Sequence, residues 1–211
     1  RTDWDDLVIT SVVPPQRQPI SLKPLQRVIG GAEFVPVQNQ SVGFVYAGAT
    51  MAFTTAYWVL GHYNPREIAF LGCDMSYPKS SKTHFYGTGT ADPLREDITL
   101  ISLEAKAARL YALALAQGCE ITNLSQETSR LIAPRRSLLE PRPKPFKIDK
   151  VQKAHALARE QELAYYVASG RYWEELERFD IKQIKRLDAL WSTVVIAPPQ
   201  GAVAPMLSHW I

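Results

Sequence analysis

The chain has 211 residues, 46% of them apolar and 10% aromatic, and a formal net charge of +3 from 24 Lys and Arg against 21 Asp and Glu. Those values are typical of an ordinary soluble globular protein with one good core and a small appendage, and no apolar run is long enough to span a bilayer. The two cysteines, Cys73 and Cys119, sit in apolar strand-like contexts, which excludes a disulfide framework and reads as small buried hydrophobes in a reducing compartment.

The sequence opens at Arg1 without an initiator methionine or a signal-peptide pattern, so the natural start is expected upstream; the reduced cysteines make a cytoplasmic location the expectation. Residues 1–40 carry short β-rich runs, "DLVITSVV" and "AEFVPVQ", broken by Pro14, Pro15, Pro19, Pro24, Gly30 and Gly31. Prolines at that frequency limit the region to short strands and loops at the edge of a domain. "SVGFVYAG" then reads as a strand ending at Ala47-Gly48. "ATMAFTTAYWVLGHY" reads as a buried helix stopped by Gly61. "REIAFLGCD" is a short, continuously apolar run, the pattern of a strand covered on both faces, and it ends at Asp74.

After a polar loop, "DPLREDITLISLEAKAARLYALALAQG" predicts a strong helix, with Asp92 as N-cap, Pro93 in the first turn and Gly118 as the stop. "CEITNLS" predicts a further strand ending at Asn123. Strand, helix, strand, helix, strand predicts an α/β fold: a Rossmann-like parallel sheet flanked by helices. Residues 133–148 form a basic, proline-rich linker that holds Arg135, Arg136, Arg142, Lys144 and Lys147. Residues 149–211 form a helical C-terminal extension, with two amphipathic stretches that close the domain or pair with another subunit as a homo-oligomer. The Rossmann-like domain therefore occupies residues 1–132, with its N-terminal part expected to be incomplete.

Parallel strands bring their carboxyl ends to one edge, where ligands of open α/β sheets bind. Ala47-Gly48, Asp74 and Asn123 should thus face one crevice, together with the loop "THFYG" that carries His84. Asp74 can cap a turn, orient a ligand hydroxyl or hold a metal. His84, walled by Phe85 and Tyr86, has the chemistry of a general base near neutral pH. Tyr77 and Tyr86 can donate phenolic hydrogen bonds to phosphate oxygens, or simply pack. Asn123 and Ser125 can read a base or sugar, or form the next turn. GxGxxG, the Walker lysine loop, zinc-ligand spacing and GxSxG are all missing from the chain. His62, His155 and His209 are scattered, so no metal site is expected.

The order "YAGATMAFTTAYWVLGHYNPREIAFLGCDM", a loop, "THFYG", then "LISLEAKAARLYALALAQGCEITNLS" resembles the bacterial sialyltransferases that use CMP-sialic acid. It is also similar to the MptE-like proteins, which include 6-hydroxymethylpterin diphosphokinases. The resemblance covers roughly residues 42–132. It implies a metal-independent, inverting glycosyltransferase without a cofactor, in which His84 deprotonates the acceptor hydroxyl and Asp74 matches the family's aspartate. Gly48, Tyr77, Tyr86, Asn123 and Ser125 then contact the nucleotide and donor, a nucleotide sugar such as CMP-sialic acid, and the acceptor is a glycan. Ala47 stands where the family has a serine, and the family's N-terminal nucleotide motif is not visible in residues 1–40.

Two alternatives stay open. One is diphosphate transfer from ATP to a pterin-like alcohol, with Asp74 helping to bind Mg²⁺. The other is a non-catalytic α/β binding or assembly module. The basic segment 135–150 reads either as a solvated linker or as a peripheral contact with an anionic membrane, and no nucleic-acid partner is expected.

Overall fold

A computed structural model describes residues 43–48, 50–76, 97–167 and 169–197. In chain order the elements are helix α1 (Gly43–Ala47), helix α2 (Met51–Tyr63), strand β1 (Glu67–Phe70), a 3₁₀ turn (Ile98–Leu100) and helix α3 (Leu103–Ala116). Strand β2 (Glu120–Asn123), strand β3 (Lys147–Ile148) and helix α4 (Lys150–Leu163) follow. Two 3₁₀ turns (Tyr172–Glu174 and Leu176–Arg178), helix α5 (Ile181–Ser192) and strand β4 (Val195–Ile196) complete the described chain. The fold is mixed α/β.

β1 and β2 pair in parallel, with Glu67 opposite Glu120 and Phe70 opposite Asn123. The connection between them carries α3. On its other side β2 meets the segment around Arg135: the Asn123 amide donates to the Pro134 carbonyl at 2.9 Å, and the Arg136 amide donates to the Asn123 carbonyl at 3.2 Å. Alternate backbone groups of β2 thus point left and right, as strand geometry requires. Residues 131–136 pack here, with Leu131 and Ala133 in the core and Arg136 bonded to Glu67 at 2.8 Å, so the start of the predicted linker lies against the sheet. β3 and β4 form a short antiparallel pair.

Helix α3 is the centre of the molecule. Small alanines at 105, 107, 108, 112 and 114 let neighbours approach closely, and the helix is buried almost all round. One face joins Tyr57, Leu60, Phe70 and Ile121; the other joins Tyr46, Ala156, Leu187 and Trp191. Gly118 (φ 78°) ends the helix as expected: the Gly118 amide donates to the Leu115 carbonyl and the Cys119 amide to the Ala114 carbonyl, a Schellman closure.

Several predicted boundaries differ. "GFVYA" is a helix instead of a strand, because five apolar residues carry no period that separates the two; Tyr46 is fixed by its hydroxyl, which donates to the Glu160 carbonyl and accepts from the Tyr165 amide. Ala47-Gly48 is therefore a helix end and not a strand tip. α2 runs through Gly61 to Asn64, whose left-handed backbone (φ 46°) supplies the stop. α3 begins at Leu103, where the Ser102 hydroxyl accepts the Ala105 amide; residues before it turn separately, with the Asp97 carboxylate accepting the Thr99 amide. Asp92, the predicted cap, lies outside the described residues. α4 ends at Ala164 (φ 48°), ahead of Ser169-Gly170, with the Ala164 carbonyl taken by Arg178. Among the described residues no helix is long and apolar enough to cross a membrane.

Two ion pairs sit inside this packing. Arg109 donates to both carboxylate oxygens of Glu160 at 2.6 and 2.7 Å and to the Tyr57 hydroxyl at 2.9 Å, while Trp191 Nε1 donates to Glu160 Oε1 at 2.7 Å. The guanidinium lies near the rings of Tyr46, Tyr57 and Trp191. Lys106 Nζ meets Asp188 Oδ1 at 2.8 Å. These contacts tie α3 to α4 and α5.

Candidate functional site

Of the three predicted strand ends only Asn123 closes a strand: β1 stops at Phe70, so Asp74 lies four residues beyond it, in the turn past the carboxyl edge. Beyond Phe70 the chain turns at Gly72 (φ 70°), and the Gly72 amide donates to Ser125 Oγ at 2.8 Å. Glycine is suited to that backbone because a side chain in the left-handed region costs energy. Two residues on, the Asp74 carbonyl accepts the Arg130 amide at 2.8 Å. Asp74 is thereby held at this corner through its backbone carbonyl, and Ser125 through its hydroxyl, which accepts the Gly72 amide.

Asn123 occupies the last position of β2 and is buried. Its Oδ1 accepts the Ser125 amide at 2.9 Å, an Asx turn that fixes which way the amide group faces. The other end, Nδ2, is buried with no hydrogen-bond partner among the described residues, and so is Asp74 Oδ1. Buried polar atoms are almost always satisfied, because an unmet one costs roughly 1–3 kcal/mol. An unmet donor and an unmet acceptor at the carboxyl edge of one parallel pair are the pattern of a site waiting for polar atoms from a ligand.

Positive charge comes from segments that follow β2. Arg130 makes a two-pronged contact with Glu104, in the first turn of α3, at 2.6 and 2.8 Å; this contact holds the Glu104 carboxyl below the usual carboxylate range, against the opposing effect of burial. Arg135 is exposed. Its Nη1 donates to the Ser125 carbonyl at 2.9 Å, and it has no carboxylate partner among the described residues. A guanidinium anchored by one nitrogen and open on the others is well suited to an anionic group. The sequence reading assigned Arg135 to a linker and gave Arg130 no role. The available signal was their spacing, five residues apart around the apolar "LIAP" just after a strand end.

Gly48 has a different setting. It follows α1 with φ 78°, and a Cβ there would come 3.0 Å from Lys106 Cγ and 3.3 Å from Phe53 Cδ2. Its lack of a side chain is explained by the close approach of α3. His84, Tyr77 and Tyr86 lie outside the described residues. Cys73 is half-buried beside Asp74, and burial, helped by the Asp74 charge, pushes its thiol up, so it is a poor nucleophile at neutral pH. Among the described residues no group of three or more His, Cys, Asp or Glu side chains is arranged to hold a metal ion.

The corner can thus accept a hydrogen bond (Asp74), donate one (Asn123) and pair with an anion (Arg135). Comparison with protein-family models, with curated proteins and with solved structures finds no match to the chain.

Proposed function

We propose that the chain is a nucleotide-sugar-dependent glycosyltransferase of sialyltransferase-like, Rossmann-like type, with its donor seated at the carboxyl ends of β1 and β2. The observation that carries this reading is the pair of unmet buried atoms, Asp74 Oδ1 and Asn123 Nδ2, at that edge. A nucleotide base or sugar offers both donors and acceptors to such a pair. The donor phosphate would meet the open nitrogens of Arg135 and gain charge compensation as it becomes the leaving group.

The reaction that fits is displacement at the sugar carbon. The acceptor hydroxyl gives its proton to a general base, its oxygen forms the new glycosidic bond, and the bond to the donor phosphate oxygen breaks with inversion. His84 is assigned as that base by the motif order, with Tyr77 and Tyr86 as phosphate donors. Asp74 would orient the donor instead of carrying the proton.

Thermal shift with CMP, CMP-sialic acid and ATP, each with and without magnesium, tests the reading, since a ligand of the folded state raises the melting point by mass action. Stabilisation by CMP or CMP-sialic acid without magnesium supports it. A shift that requires ATP with magnesium replaces it with diphosphate transfer, and no shift with any nucleotide replaces it with a non-catalytic module.

A further inference from the structure

The segment that leaves the β2 edge forms a turn with an unusual tip. Leu138 and Leu139 are 73% and 97% exposed, yet the turn that carries them is tightly built. The Glu140 amide donates to the Ser137 carbonyl at 3.2 Å, and the Ser137 amide donates to Glu140 Oε2 at 2.7 Å. From the inner side Arg136 Nη1 reaches the carbonyls of Ser137, Leu138 and Glu140 at 3.1–3.3 Å, while its Nη2 is pinned to Glu67 at 2.8 Å. Three carbonyls of the turn are satisfied internally by one guanidinium that the sheet itself holds.

Single exposed leucines are common and need no explanation. Two at the apex of a pre-formed turn, with three of its four carbonyls already satisfied, are a different matter. Moving backbone into a less polar medium is costly unless its polar groups have partners, and here most of that requirement is met in advance.

What surrounds the tip decides the partner. Immediately after it runs "PRPKPFK", in which Lys144 and Lys147 are exposed with no ion pair among the described residues, while Arg142, also exposed, pairs with Glu120 at 3.4 Å. Prolines 141, 143 and 145 restrict the backbone of this stretch. Between residues 135 and 150 there are six basic and two acidic residues, a net of +4, so the remainder of the chain carries a net of −1 against the whole chain's +3. One of the acids, Glu140, has its carboxylate committed to the Ser137 amide. Nucleic acid would meet the charges but has no use for the leucines, whereas an anionic bilayer uses both.

We propose that the turn Ser137–Glu140 is a membrane-docking tip, inserting Leu138 and Leu139 into the interface of an anionic lipid bilayer while Lys144 and Lys147 contact its headgroups. This binding is peripheral and reversible, since two leucines and a few basic residues supply far less than a spanning helix. It is independent of the reading of the strand-end site.

Flotation of the full chain with vesicles of phosphatidylcholine alone, or of phosphatidylcholine mixed with phosphatidylglycerol, tests it. Wild type should float with the mixed vesicles only, and raising salt to about 1 M, where the Debye length is about 3 Å, should weaken the binding. Leu138→Ser/Leu139→Ser should reduce partitioning on the order of a hundredfold, and Lys144→Gln/Lys147→Gln on the order of tenfold. All four positions are exposed, so melting temperatures should match wild type. Three results would overturn the proposal: no flotation of wild type with anionic vesicles; equal flotation of the leucine variant; or binding to a DNA or RNA duplex that the leucine variant retains while wild type ignores vesicles.

Discussion

Replacing Arg109 by methionine removes the charge that offsets Glu160 in the interior. The two side chains are 2% and 7% exposed, so Glu160 cannot reach water once its partner has gone. It would keep one donor, Trp191 Nε1 at 2.7 Å, in place of three. Leaving one member of a buried pair uncompensated costs roughly 3–5 kcal/mol, a large share of the roughly 5–15 kcal/mol that holds a domain together. With a urea m-value near the upper end of the usual range, about 3 kcal/mol per molar, the midpoint should fall by on the order of 1–2 M at unchanged slope. Glu160→Met should cost a similar amount, because it strands the guanidinium instead. The double variant should cost about as much as either single, since both charges leave together, giving a coupling of about 2 kcal/mol or more. Additive losses across the cycle would show that the two charges do not act on each other and that α3 and α4 are held by apolar packing alone.

Three further outcomes follow from particular contacts. Arg130 holds the Glu104 carboxyl below its usual range, so the pair contributes stability above the unfolded-chain value of about 4.3 and loses it as pH falls through the lower folded value. Both groups are partly exposed, so Arg130→Gln should cost less than about 1 kcal/mol at neutral pH, and its urea midpoint should converge with that of wild type in acid; parallel midpoints at every pH would remove the contact from the ledger. Burial raises the Asp188 carboxyl despite the opposing pull of Lys106, so Lys106→Met should raise it further. The variant should then be least destabilised at low pH and progressively worse as pH rises through the folded value, and a pH-independent deficit in melting temperature would contradict this. Gly48→Ala meets both a left-handed backbone and Lys106 Cγ at 3.0 Å, and should cost about 1–2 kcal/mol in backbone strain alone; an unchanged melting temperature would show that α1 shifts freely.

The sequence was legible where one local rule decided the outcome. Gly118 after a long alanine- and leucine-rich run ended α3, and the runs "EIAF" and "EITN" became the two strands. It misled where two elements share a pattern, as at "GFVYA", and where a helix end depends on backbone sign instead of on glycine, as at Asn64 and Ala164. The ion pairs were invisible for another reason. Arg109 and Glu160 are 51 residues apart, and a charged residue on a predicted helix reads as surface until its partner is found. At the site, the strand ends foretold the neighbourhood of Asp74, Asn123 and Ser125. The part played by Arg135 depended on a third segment lying beside β2, and a proline-rich stretch gives no periodic sign of that.

Calorimetric titration of CMP into wild type, Asp74→Ala and Asn123→Asp probes the strand-end site most directly. Asn123→Asp keeps the oxygen that accepts the Ser125 amide and replaces the unmet nitrogen donor by a carboxylate oxygen, with its charge; melting of each unliganded variant reports any cost to folding separately. Loss of one hydrogen bond to a charged or strongly polar group is worth about 1.5–3 kcal/mol, so each variant should bind at least about tenfold more weakly than wild type. Equal CMP affinity in all three proteins, or no binding by wild type, would contradict a nucleotide seat between β1 and β2.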